Sequence, residues 1–218
     1  ILLSGKTGDN RYHGFRNYFL PHKKGSDPTM IPLEISELCA FASSESYSPL
    51  GQASIIHYSF EKIVLGDPLL TSDDDFQKVM NAIVDATKEY DDGETAICFM
   101  GHGTEADSNS VYTKMQETLK AAGYDNYFVG TVEATPSLDD VIAAVKAGGY
   151  KKVVLRPLMI VAGDHANNDM AGDEDGSWKT EFEKAGFEVT TVVEGLGSVQ
   201  AIQDLFVAHA QAAIDSLK

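Results

Sequence analysis

The chain has 218 residues, 43% hydrophobic and 23% charged, enough to bury one substantial core, and its formal charge of −16 with no basic patch excludes a phosphate-backbone partner. No run reaches the ~18 apolar residues of a membrane span and no basic-then-apolar leader opens the chain, so a cytoplasmic protein with neither nucleic-acid nor membrane partner is expected. The only cysteines, Cys39 and Cys98, lack the number and spacing of a disulfide framework.

Residues 1–59 hold five basic and five acidic side chains, against twelve and twenty-eight in the rest, which marks a compositional boundary. In this first stretch Gly, Ser, Pro and aromatic residues are scattered without a helical or alternating period, and residues 21–28 (PHKKGSDP) read as a turn-rich loop. Gly5-Lys6-Thr7 lacks the earlier glycine and apolar strand of a phosphate loop.

From Lys62 onward short β-branched or apolar runs alternate with amphipathic segments, the pattern of βα units around a parallel sheet. Strands are expected at about 62–66, 95–100, 127–132, 153–161 and 188–193. The first helix has Ser72 or Asp73 as N-cap and Phe76, Val79, Met80, Ile83 and Val84 at helical spacing. A second runs from about Ser108 to Ala122, stopped by Gly123, and a third follows Pro136-Ser137 with Leu138, Val141, Ile142 and Val145 on one face. A fourth covers about Ser177 to Ala185, with Trp178 and Phe182 one turn apart, and the last about Val199 to Leu217. Pro157 within the fourth strand predicts a bulge or an edge-like segment.

In open parallel sheets, ligands bind beyond the carboxyl ends of the strands. Three ionisable residues fall there: His102 after TAICFMG, Glu133 at the end of FVGTVE, and His165 after VVLRPLMIVAGD. Two imidazoles and a carboxylate converge if their strands are neighbours, and such donors suit cobalt, iron, nickel or zinc. The 63-residue separation of the histidines is no local motif and gains meaning only through the fold. Gly101, Gly103 and Gly163 would let the backbone turn sharply and a bulky ligand approach. The polar run from Gly163 to Asp173 reads as an active-site loop, in which Asp164 or Asp169 could orient the His165 ring. His209 reads as structural, and nothing in the spacing assigns His13, His22 or His57 a role. No Gly-x-Ser-x-Gly elbow supports a hydrolase.

The segments MGHGTEADSNSVY, VGTVEATPSLDDVI and above all LRPLMIVAGDHANNDMAGDEDGSWK, with FEKIVLGDPLLTS and GLGSVQAIQDLFVAHAQAAI at the two ends, resemble the anaerobic sirohydrochlorin cobaltochelatases, the CbiK family of class II chelatases. The resemblance covers about Phe60 to the C-terminus. It implies a three-layer sandwich of parallel sheets flanked by helices, in two α/β lobes. Residues 91–218 would form the C-terminal lobe and 1–90 an atypical or incomplete N-terminal one.

The implied activity is insertion of divalent cobalt into sirohydrochlorin during anaerobic cobalamin synthesis, the metal being a substrate and no organic cofactor being needed. His102 and His165 match the family's metal-site histidines and would also take up pyrrole protons, while Gly101, Gly103, Glu133, Gly163 and Asp164 would line the substrate. Iron or nickel insertion, or a non-catalytic metal or tetrapyrrole carrier, are the alternatives. Residues 1–59 lack the family's opening strand, its Ser-Phe-Gly-Thr turn and its acidic stretch before the FEKI-like segment. A divergent lobe, an altered gene product or a homo-oligomer that rebuilds the cleft would each account for this. Arg156, Lys151 and Lys152 are candidates to offset the carboxylates of the substrate, although lysines at a strand start are commonly solvated positions at the far end of a sheet.

Overall fold

The computed structural model describes residues 62–216 and the strand Met30–Glu34. The chain divides into two compact units, one of Leu70–Asp204 and one of Ile1–Leu69 with Leu205–Lys218.

In the second of these, β1 (Met30–Glu34) pairs in parallel with β2 (Lys62–Gly66), Met30 opposite Lys62. The strand expected at 62–66 is therefore present, whereas β1 arises in a stretch with no readable period. Its five residues are too short a run to declare a period of two. The Asp67 carbonyl lies 2.8 Å from Nδ1 of His209, which fits the structural reading of that histidine.

The unit Leu70–Asp204 is built on a four-stranded, all-parallel sheet in the order β4-β3-β5-β6. The strands are β3 (Thr95–Gly101), β4 (Tyr127–Thr131), β5 (Lys152–Pro157) and β6 (Glu188–Thr191). The helices are α1 (Asp73–Asp85), α2 (Ser110–Ala121), α3 (Leu138–Ala147) and α4 (Trp178–Lys184), followed by α5 (Gln200–Asp215), which begins in this unit. Both α1 and α3 start with a reciprocal cap. Ser72 accepts the Asp75 amide while Asp75 accepts that of Ser72, and Ser137 and Asp140 repeat the arrangement.

All seven residues of β3 are buried, as expected for a parallel strand covered on both faces. Ala96, Cys98 and Met100 join Val153 and Leu155 of β5 in a core closed by Val141 and Val145 of α3 and Trp178 and Phe182 of α4. On the opposite face Phe99 stacks on Tyr127, and Tyr112 of α2 lies against Gly101. At the outer edge of β4, the Gln116 side chain accepts the Val129 amide and donates to the Tyr127 carbonyl, satisfying backbone groups that an edge strand leaves open.

The sequence predicts β5 running to residue 161, with a bulge or an edge-like segment at Pro157; instead the strand ends at Pro157, and of the two expectations it is the edge-like one that the pairing matches. β6 pairs with β5 only as far as Leu155, so the donor that proline lacks falls where that neighbour has ended. On the other side the ladder continues undisturbed, the Leu158 amide donating to Met100 O over 2.7 Å. The apolar run beyond is spent elsewhere: Met159 and Ile160 accept the amides of Leu196 and Gly197.

The chain leaves β3 for α2 on one face, whereas it leaves β5 towards α4 on the other. Loops after these two adjacent strands thus part in opposite directions, which opens a crevice at their carboxyl ends.

Candidate metal centre

Gly101 is the last residue of β3, and sheet-like pairing with the neighbouring strand runs on past it. The Val132 amide donates to Gly101 O over 3.0 Å and the Glu133 amide to His102 O over 2.9 Å. His102 and Glu133 are therefore joined by a backbone hydrogen bond. The loops carrying them are also stitched together by side chains. Asn109 accepts the Thr104 amide at 3.1 Å and donates to the Thr135 carbonyl at 2.7 Å. The Tyr112 hydroxyl accepts the Gly103 amide at 3.2 Å.

Two glycines are required by this packing. A Cβ on Gly101 would lie 2.1 Å from Cε1 of the Tyr112 ring, and Gly103 has φ +87° with Ala134 N only 2.8 Å from where its Cβ would be. Gly163, by contrast, adopts no left-handed conformation, and a Cβ there meets open space. The expectation that it serves a sharp turn is corrected accordingly: its exposed position imposes no need for glycine.

His165 enters from the segment after β5, just ahead of a π-helical turn, Ala166–Met170. Its Nδ1 lies 2.5 Å from Oδ2 of Asp169. Of the two acidic residues weighed for orienting this ring, Asp169 is the one in contact, while exposed Asp164 accepts from the Asn168 amide group at 2.7 Å.

The three residues meet. One donor atom from each of His102, Glu133 and His165 lies within 4.8 Å of the others. The two rings stand edge to face, centroids 4.6 Å apart and planes at 88°, and His102 Nδ1 is 3.5 Å from Glu133 Oε2 and 2.9 Å from its neighbour's carbonyl, Gly103 O. Each histidine side chain is 32% exposed and that of Glu133 54%, so the donors are held yet reachable from solvent. Two imidazoles and a carboxylate make a three-donor set for a borderline divalent ion.

The basic candidates lie elsewhere. Lys151 and Lys152 are exposed at the start of β5, at the end of the sheet opposite the histidines. Arg156 is 3% exposed, its Nη1 donating to Ala86 O at 2.6 Å and its Nη2 3.5 Å from Glu194 Oε2, so it is a buried anchor of the sheet face and not a surface charge. Cys98 is fully buried in the core, and that burial pushes its thiol up, away from the reactive thiolate. Cys39, His13, His22 and His57 lie outside the described residues.

The sequence reading missed Asn109 and Tyr112. Their signal was their position in the MGHGTEADSNSVY segment, seven and ten residues after His102.

A family model described as cobalt chelatase (CbiK) matches residues 46–215. The chain belongs to the CbiK cobalt chelatase family. It is 36% identical over 164 residues to a sirohydrochlorin cobaltochelatase of Salmonella typhimurium, covering 75% of this chain and 61% of that protein. To the sirohydrochlorin cobaltochelatase CbiKC of Nitratidesulfovibrio vulgaris it is 30% identical over 158 residues, covering 72% and 56%. The chain thus spans about three fifths of the length of the curated relatives it matches. Among solved structures, a putative cobalamin biosynthesis CbiX protein of Marinobacter aquaeolei aligns with a TM-score of 0.47 and 20% identity, over 56% of this chain and 98% of that one. In this CbiK-family chain the matched span contains His102, Glu133 and His165 together with the residues that stitch their loops. No helix among the described residues is long and apolar enough to cross a membrane.

Proposed function

We propose that this protein inserts divalent cobalt into sirohydrochlorin, with His102, Glu133 and His165 holding the incoming ion. The observation that carries the reading is the meeting of three donors, from the ends of three neighbouring strands, within 4.8 Å. A backbone hydrogen bond between the loops after two adjacent strands joins two of them and the segment after a third strand supplies the other, so the set is a product of the fold and not of a local loop.

Insertion exchanges the two pyrrole N–H protons of the macrocycle for one dication, with no change of oxidation state. A metal held beside the macrocycle face, with imidazole nitrogens available to take protons as it transfers, lowers the barrier by positioning and by general-base catalysis. A ligand set of three leaves coordination positions through which the ion can pass to pyrrole nitrogens. Gly101, Gly103, Gly163 and Asp164 flank the donors and are assigned to the macrocycle side. The reaction needs no organic cofactor, and we place it in the cytoplasm. A homo-oligomer would supply a second wall to the cleft.

Titration of the metal-free protein with divalent cobalt, followed through the ligand-field absorption of the ion, tests the assignment. One equivalent should bind in a low-symmetry, nitrogen-containing site in the wild type, and binding should weaken in His102→Ala, Glu133→Gln and His165→Ala. Cobalt absorption identical to that of the aqueous ion would overturn it.

A further inference from the structure

Both histidines of the centre are held through Nδ1, but by different partners. His102 meets a neutral backbone carbonyl, Gly103 O, at 2.9 Å, whereas His165 meets a carboxylate, that of Asp169, at 2.5 Å. The second pair sits on a closed π-helical turn. In the π-helical turn the Ala171 amide reaches back to Ala166 O at 3.3 Å, and the Gly172 amide to Asn168 O at 3.1 Å. Ala166 and Met170, next in sequence to His165 and Asp169 respectively, are fully buried and fix the turn. A side chain at Gly172 would meet Asn168 O at 2.4 Å, so the turn closes tightly at its end. The result is a histidine and an aspartate four residues apart, both part-exposed, on a clamped frame. π-turns of this kind commonly mark functional positions.

We propose that Asp169 is a positioning residue for metal capture: by accepting the Nδ1–H of His165 it fixes the ring's rotamer and tautomer, leaving the Nε2 lone pair as the donor offered to the ion. A carboxylate behind a ligating imidazole also strengthens that imidazole as a donor. His165, with a carboxylate in direct contact at Nδ1, is then the better-held of the two histidines, and His102, whose Nδ1 meets the Gly103 carbonyl at 2.9 Å with the Glu133 carboxylate further off at 3.5 Å, the more readily released when the ion moves to the macrocycle. This inference rests on the reading of His102, Glu133 and His165 as a metal-handling set.

The test combines cobalt titration with ¹⁵N NMR of the histidine ring nitrogens in the metal-free protein. In the wild type, His165 should show a protonated Nδ1 and a bare Nε2. Asp169→Ala should mix the tautomers and weaken cobalt binding about 10- to 100-fold, the usual effect of losing such a partner. Asp169→Asn, nearly isosteric and still able to accept the bond, should keep the tautomer and fall between. An Nε2–H tautomer in the wild type, or Asp169→Ala binding cobalt as tightly as the wild type, would overturn the inference alone. A wild type that takes up no cobalt would overturn the metal-centre reading and this inference with it. The NMR measurement needs no substitution, so misfolding of a variant cannot mask the answer.

Discussion

The Glu133 amide donates to the His102 carbonyl over 2.9 Å, so one backbone hydrogen bond sets the spacing of a carboxylate and an imidazole that lie 31 residues apart in the chain. The side chain of Glu133 takes no part in that bond. Glu133→Gln should therefore leave stability within about 0.5 kcal/mol of wild type, the usual range for an exposed substitution, while reducing cobalt affinity. Paired thermal melts and cobalt titrations check this; equal affinity in the two proteins would remove Glu133 from the ligand set.

His102→Ala and His165→Ala should each abolish metal insertion and leave the fold intact, because both side chains are part-exposed and neither belongs to the buried core. Circular dichroism together with turnover separates the outcomes. An unfolded variant would give that histidine a structural role instead.

Gly101 and Gly163 make a contrasting pair. Alanine at 101 forces the Tyr112 ring aside and loosens its hold on the Gly103 amide, an overpacking expected to cost about 1–3 kcal/mol. Alanine at 163 points into open space and should change stability by less than about 0.5 kcal/mol. Denaturant melts of the two variants decide the matter, and equal stabilities would contradict the packing described.

Asp140 gives a pH signature. The Ser137 amide and hydroxyl hold its carboxyl below the ordinary aspartate value of 3.8. A group whose folded pKa is depressed contributes stability that is present above the unfolded value and lost as pH falls through the folded one. Stability should accordingly decline as pH drops below about 3.8, and Ser137→Ala should shrink that dependence as well as lowering the melting temperature. Parallel acid titrations of melting temperature in the two proteins test this; identical slopes would leave the cap without electrostatic weight.

Much of this was legible in the sequence where the signal is local. The cap at Ser72 or Asp73, the Pro136-Ser137 start of α3, the apolar stripe of Phe76, Val79, Met80 and Ile83, and the β-branched run of β5 announce their elements directly. β5 was over-read because Leu158–Ala162 is as apolar as the strand itself; only the pairing of Met159 and Ile160 with the chain around Leu196 reveals that the sheet has ended. The candidate site was legible because His102, Glu133 and His165 follow strands, and strand ends converge in a parallel sheet. Asn109 and Tyr112 were not, since each acts on backbone groups that become neighbours only after folding. Arg156 misled in the opposite sense: its charge suggested a surface, while the alternation of β5 turned it inward beneath Ala86.

The central claim is tested most directly by mixing sirohydrochlorin, divalent cobalt and this protein without oxygen and following the absorbance of the macrocycle against the uncatalysed rate, with His165→Ala alongside. The account predicts acceleration by the wild type that the variant loses. Macrocycle and cobalt that bind without acceleration, or acceleration that survives in His165→Ala, would contradict it.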